Sequence, residues 1–210
     1  MKKIFNISLH RSGTQSAHDF FVKAGFKSLH WPGKIFDKAC ADALDDSDAE
    51  LVWQRYKSIA LDVTAFNDIP MPFLYEQAAR DFPDSLFLII RRSSDSWIKS
   101  VRRHTANREL DVLEKMQYWK ICGERHSRLS SYSDEELCAA YENHIIDAVR
   151  VLSGCSIQLG VFELEDMDIA SKLRHFLKIK DESVNFGNID VNRVKDKKRF
   201  FRETRSWRNF

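Results

Sequence analysis

The chain has 210 residues, of which 43% are hydrophobic and 12% aromatic, and Lys plus Arg exceed Asp plus Glu by only 33 to 31. That content can bury one substantial core, so a single domain over residues 1–210 is expected, and no recognisable module supports a nucleic-acid partner. Composition also argues against a disulfide scaffold, a zinc site and a membrane span. Cys40, Cys122, Cys138 and Cys155 lie far apart with no C-x-x-C pair or clustered histidines, and no apolar stretch approaches a spanning length.

The apolar run after Met1-Lys2-Lys3 is interrupted by Asn6 and Ser8 and is too short for a secretory leader. A cytoplasmic protein with reduced thiols and no bound metal is expected. Positive charge gathers at the far end, where residues 193–208 hold eight Lys or Arg against Asp196 and Glu203. Such a tail favours anionic company, or is simply a solvated terminus.

In chain order, a strand is predicted over 4–9, followed by a helix over 14–24 with Phe20 and Phe21 on its apolar side and Gly25 as its stop. A short strand over 27–30 comes next. Helices are predicted over 34–44 and 48–56, divided by the acidic turn Asp45-Asp46-Ser47-Asp48, and residues 58–63 read as a strand. Pro70 and Pro72 introduce a helix over 72–82, and Pro83-Asp84 turns the chain into Leu86-Phe87-Leu88-Ile89-Ile90. Five uninterrupted apolar residues argue for a central parallel strand covered on both faces. Helices over 94–103, 107–129 and 134–152, a strand over 157–162 and a helix over 166–178 complete the pattern. Strands alternating with helices predict an α/β fold with a central, mainly parallel sheet between helical layers.

The junction of the first strand and first helix reads Leu9-His10-Arg11-Ser12-Gly13-Thr14-Gln15-Ser16. Open α/β sheets bind phosphate at such a place. The free amides of a first helical turn, the permissive Gly13, the hydroxyls of Ser12, Thr14 and Ser16, and the Arg11 guanidinium can converge there on one anion. The G-x-x-x-x-G-K-[ST] spacing of an ATPase or kinase loop is absent. An ordinary capped turn gives the same local pattern.

A second candidate lies at the end of the central strand, in Arg91-Arg92-Ser93-Ser94-Asp95-Ser96-Trp97. Ligands of open α/β sheets bind at that edge. With a helix starting near Ser94, Ser100 stands one turn beyond Trp97, where it can share an anion with Arg92.

With both stretches in view, the chain resembles the sulfotransferases that use 3′-phosphoadenosine 5′-phosphosulfate (PAPS) and release PAP. Their phosphosulfate loop, [RK]-[ST]-G-T-x-[SW], is matched by Arg11 to Ser16, and their 3′-phosphate pair, an Arg at a strand end and a Ser eight positions later, by Arg92 and Ser100. In a compact subgroup of the family the Arg opens R-D-P-x-x-W-x-x-S-V. Arg92, Trp97, Ser100 and Val101 fit that pattern, whereas Ser93-Ser94 replaces Asp-Pro. Asp68-Ile69-Pro70 and Phe82-Pro83-Asp84 match two further elements, and Trp207-Arg208-Asn209-Phe210 is similar to a W-K-N-x-F near the end of cytosolic members. The R-K-G-x-x-G element lacks its glycines here, so Lys197, Lys198 and Arg199 are secondary candidates for the 3′-phosphate.

The resemblance implies a P-loop nucleotide-kinase-like three-layer fold and transfer of a sulfuryl group to an acceptor hydroxyl. Arg11, Ser12, Gly13, Thr14, Gln15, Ser16, Arg92 and Ser100 would bind the donor, and Arg11 would also neutralise charge on the bridging oxygen. Asp68 aligns with the base suggested for the compact subgroup, a role that a raised pKa would favour. His10 and His30, at strand ends near the loop, compete for it. The acceptor, a small molecule, glycan or lipid, would be met by residues 30–56 and 104–132, with Trp31, Phe36, Trp53, Phe66, Tyr118 and Trp119 available as pocket walls. A P-loop-type nucleotide or small-molecule kinase, and a non-catalytic nucleotide-binding module, are the alternatives.

Overall fold

The computed structural model of the chain describes residues 2–31, 49–59, 61–106, 108–155 and 157–187. Strands β1 (Ile4–Asn6), β2 (Ser28–His30), β3 (Ala65–Asn67), β4 (Leu86–Arg91) and β5 (Gln158–Glu163) form one sheet in the order β2-β3-β1-β4-β5, with every pair parallel. The described α-helices are α1 (Thr14–Lys23), α2 (Ala49–Ile59), α3 (Met71–Asp81), α4 (Ser94–Thr105), α5 (Val112–Cys122), α6 (Asp134–Gly154) and α7 (Ile169–Leu177).

Strand β4 shows why the architecture has three layers. Phe87 and Ile89 point into one buried cluster with Phe5, Trp53, Phe66, Trp97 and Tyr141, whereas Leu88 and Ile90 point into another with Phe20, Phe21, Leu164 and Leu173. Alternation along a strand sends neighbours to opposite faces, so an unbroken apolar run demands helices on both sides. Each of these fully buried side chains contributes roughly 1.5–3 kcal/mol of transfer free energy. The α/β fold with a parallel sheet between helical layers is therefore the observed one.

The strand expected over 58–63 is not formed. Val52, Trp53 and Tyr56 are all buried, a helical spacing that carries α2 through to Ile59, and the next strand starts only at Ala65. Ile59, Leu61 and Val63 alternate with Ala60 and Asp62 as in a strand, yet Leu61 is 73% exposed. The helix expected over 107–129 is shorter. A reciprocal capping box between Asp111 and Glu114 starts α5, and Gly123, at φ 78°, ends it. The predicted helix over 34–44 and the basic stretch 193–208, with Lys197, Lys198, Arg199 and the Trp207–Phe210 motif, lie outside the described residues. Among those described, no helix is long and apolar enough to cross a membrane.

Candidate active site

The carboxyl ends of β1, β2, β3 and β4 lie side by side, so the segments that follow them share one edge of the sheet. Non-glycine residues adopt positive φ after three of these strands: Arg11 at 66°, Trp31 at 50° and Asp68 at 68°. Such left-handed backbone costs about 1–2 kcal/mol per residue, and its concentration on one edge marks a built site.

The loop after β1 is set from three sides. His144 on α6 contacts the Ile7 carbonyl through Nε2 at 2.8 Å, Ser8 Oγ accepts from the Ile90 amide at 2.7 Å, and the Trp97 indole donates to the His10 carbonyl at 2.9 Å. Gly13 then caps α1 at φ 84°, and a Cβ there would lie 2.5 Å from Leu164 Cδ1. Its dihedral favours glycine, and a side chain there would have to push Leu164 aside in the segment after β5. No side chain caps α1, so the orphan amides of its first turn remain to serve an anion. Ser12 and Thr14 are buried, Ser16 is half-buried, and Gln15 is exposed, donating to Asp19 one turn on at 3.0 Å. Gln15 can therefore offer its amide rather than its side chain.

The second expected cluster adjoins this loop. Arg11 Nε donates to Ser100 Oγ at 3.3 Å, and Arg92 donates from one guanidinium nitrogen to the Arg11 carbonyl at 3.0 Å. Arg92 also donates to Ser96 Oγ, four residues along the α4 start, and its main-chain amide donates to the Tyr141 hydroxyl at 2.9 Å. Trp97, buried against Tyr141 with ring centroids 4.7 Å apart and planes tilted by 33°, fixes the base of α4. Ser100 thus meets Arg11 directly, and Ser96 is the serine bonded to Arg92. Ser96 was missed in the sequence, although its i+4 spacing from Arg92 signals it.

Asp68 is 7% exposed and follows β3. Its Oδ1 accepts from the Ile69 amide at 3.0 Å, and its Oδ2 lies 3.1 Å from His30 Nε2. Burial pushes its carboxyl up, but the charge and hydrogen bond of His30, with His10 and the Ile69 amide, outweigh it and hold the group below the ordinary carboxylate range. The raised pKa that would favour a base near neutrality is thus not what the site provides. The cause is a histidine brought in by the β2–β3 register, which pairs His30 with Asn67. Asp68 is consequently an anion at neutral pH.

His10 fares differently as a base. Burial drives its pKa down to about 4, only partly opposed by Asp68 and Glu114, and its Nε2 is 2.5 Å from the Tyr118 hydroxyl. His10, His104 and Glu114 each bring a potential metal-ligand atom within 4.8 Å of the others, a grouping hidden by their separation in sequence. Both Glu114 oxygens, however, accept from Arg108, at 2.6 and 2.7 Å. A cation there would have to displace that guanidinium.

Of the expected acceptor walls, Trp53 and Phe66 are core residues; Trp53 donates to Asp81, the last residue of α3, at 2.8 Å. Tyr118 is buried against His10, Trp31 and Trp119 are half-buried, and Phe36 is outside the described residues.

A donor with two phosphate-like ends needs cations and uncapped amides at both. Arg92 Nε is buried and has no hydrogen-bond acceptor among the described residues, which leaves a charged donor at this edge for an anion. Together with the uncapped α1 turn, this fits PAPS. The sulfotransferase domain family model matches residues 3–179. The chain belongs to the sulfotransferase family. That span runs from the start of β1 past the end of α7 and takes in every residue of the edge just described. No curated protein matches the chain.

Proposed function

We propose that the protein transfers a sulfuryl group from PAPS to an acceptor hydroxyl by in-line displacement at the carboxyl edge of the sheet. The observation that carries this reading is the joining of the two motifs, Arg11 to Ser100 and Arg92 to the Arg11 carbonyl. One ligand with two anionic ends can then be gripped across a single edge.

Bound PAPS supplies an activated sulfuryl group on a phosphate leaving group. At the start of α1, the first-turn amides and the Thr14 and Ser16 hydroxyls are the donors for its phosphosulfate end, with Arg11 countering charge as the bridging bond breaks. Arg92 and Ser100, with Ser96, are the donors for the 3′-phosphate. Asp68, ionised and close to the loop, takes the acceptor hydroxyl proton. A low-pKa carboxylate is a weak base, so its service depends on full ionisation and fixed placement rather than on a match to neutral pH.

The acceptor is proposed to be a small molecule, glycan or lipid presenting a hydroxyl. The test is transfer of radiolabelled sulfate from PAPS to a panel of such acceptors, beside calorimetric binding of PAP and of ATP with magnesium. Labelled product and magnesium-independent PAP binding support the reading. Binding of ATP with magnesium but not PAP would make the protein a kinase, and PAP binding with every acceptor unlabelled would make it a binding module.

A further inference from the structure

We propose that His30 is a positioning residue that orients the donor loop and the acceptor base together, through one nitrogen shared between Thr14 and Asp68. The inference rests on the sulfotransferase reading above and adds a residue to its machinery.

His30 Nε2 lies 3.1 Å from Asp68 Oδ2 and 3.3 Å from Thr14 Oγ1. An ionised carboxylate can only accept a hydrogen bond, so Nε2 carries the proton and donates. Thr14 therefore accepts from the same N–H, and its own hydroxyl proton is left to donate elsewhere. Because Thr14 is the first residue of α1, that proton is available to an anion at the helix start. A single imidazole thus fixes Asp68 as an acceptor and Thr14 as a donor, the polarity that each half of the site needs.

The ring is itself well placed. His30 ends β2 beside Asn67, its side chain is 11% exposed, and the His18 ring from α1 lies 5.5 Å away. His18 is fixed in turn by its Nδ1 contact with Ser28 Oγ at 2.9 Å, and Ser28 accepts from the Asn67 side chain at 3.0 Å. Burial keeps His18 neutral, with a pKa of about 4, so it packs against His30 without competing for Asp68. The other ionisable groups acting on Asp68 are His10 and Arg11 from the loop after β1, Tyr56 from α2, His104 from α4 and Tyr118 from α5. Among them, His30 is the side chain hydrogen-bonded to the carboxylate.

The experiment compares the wild-type chain with His30→Ala and His30→Gln, the glutamine amide serving as a neutral donor near the position of Nε2. Two readouts are needed: the ¹³C carboxyl titration of Asp68, assigned with Asp68→Asn, and PAP affinity by calorimetry. In His30→Ala the Asp68 midpoint should rise and PAP should bind about three- to tenfold more weakly. In His30→Gln PAP affinity should return to within about twofold of wild type, with an intermediate Asp68 midpoint. An unchanged Asp68 midpoint in both variants overturns the proposal, as does a glutamine variant that binds PAP no better than alanine. If His30→Ala does not fold, the glutamine variant decides alone by these same two values. Failure of the wild-type chain to bind PAP would count against the sulfotransferase reading, whereas the Asp68 titration would still report on His30.

Discussion

Arg92 donates a 3.0 Å hydrogen bond to the main-chain carbonyl of Arg11, so the residue at the end of the central strand braces the loop that follows β1. The two halves of the site are thereby one mechanical unit, and a substitution in either is felt by the other. The buried Nε of Arg92 has no acceptor among the described residues.

Removing this guanidinium should separate ligands by their 3′-phosphate. A hydrogen bond to a charged group contributes about 1.5–3 kcal/mol, so Arg92→Ala is expected to weaken PAP by roughly 10- to 100-fold. Adenosine 5′-phosphate, which lacks the 3′ group, should lose no more than about threefold. Calorimetric titrations of both nucleotides check this, and an equal loss for the two would mean that Arg92 acts only as a brace.

Asp68→Asn keeps the size of the side chain and its acceptor toward Ile69 but removes the charge. Turnover should fall by roughly 10²-fold or more, with PAP affinity nearly unchanged, because a general base contributes about that much. Rate measurements at saturating acceptor test the point, and wild-type turnover would transfer the role to another group.

Gly13→Ala places a side chain at φ 84° and a Cβ 2.5 Å from Leu164 Cδ1. The dihedral alone costs about 1–2 kcal/mol, and the contact adds to it. Urea unfolding should show a loss of at least that size. Pairing the change with Leu164→Ala should not restore stability, since the dihedral strain remains and a cavity is added.

Stability should decline as the solution is acidified from about pH 6.5 to pH 4. Burial lowers the pKa values of His10, His18 and His144 to about 4, so between these limits the three groups bind more protons in the unfolded chain than in the folded one, and they outnumber Asp111, whose carboxyl burial pushes up to about 6 and which pulls the other way. The folded state therefore loses ground as pH falls through that window and levels off, for these groups, below it. His144→Gln, which keeps a donor for the Ile7 carbonyl, should flatten the decline. Thermal melts across pH 4 to 7 measure the slope.

Much of the fold was legible because burial leaves a plain trace. Leu86-Phe87-Leu88-Ile89-Ile90 argued for a strand covered on both faces, and the turn at Arg11 to Ser16 carried its glycine where a left-handed residue was needed. Residues 58–63 misled because Ile59, Leu61 and Val63 alternate like a strand, while the burial of Val52, Trp53 and Tyr56 keeps the preceding segment helical. In the site, the motif residues were readable and their partners were not. Whether Asp68 would be raised or lowered depended on His30, 38 positions earlier in the chain and delivered by strand pairing alone. The grouping of His10, His104 and Glu114 depends likewise on how helices meet the loop, whereas the bond from Arg92 to Ser96 is local and its i+4 spacing was there to be read.

The most direct test of the central claim is a crystal structure of the protein with PAP. The account predicts the 5′-phosphate within hydrogen-bonding distance of the Gly13–Ser16 amides and Arg11, and the 3′-phosphate on Arg92 and Ser100. A nucleotide bound with its 3′-phosphate in solvent, or seated away from the carboxyl edge of the sheet, would contradict it.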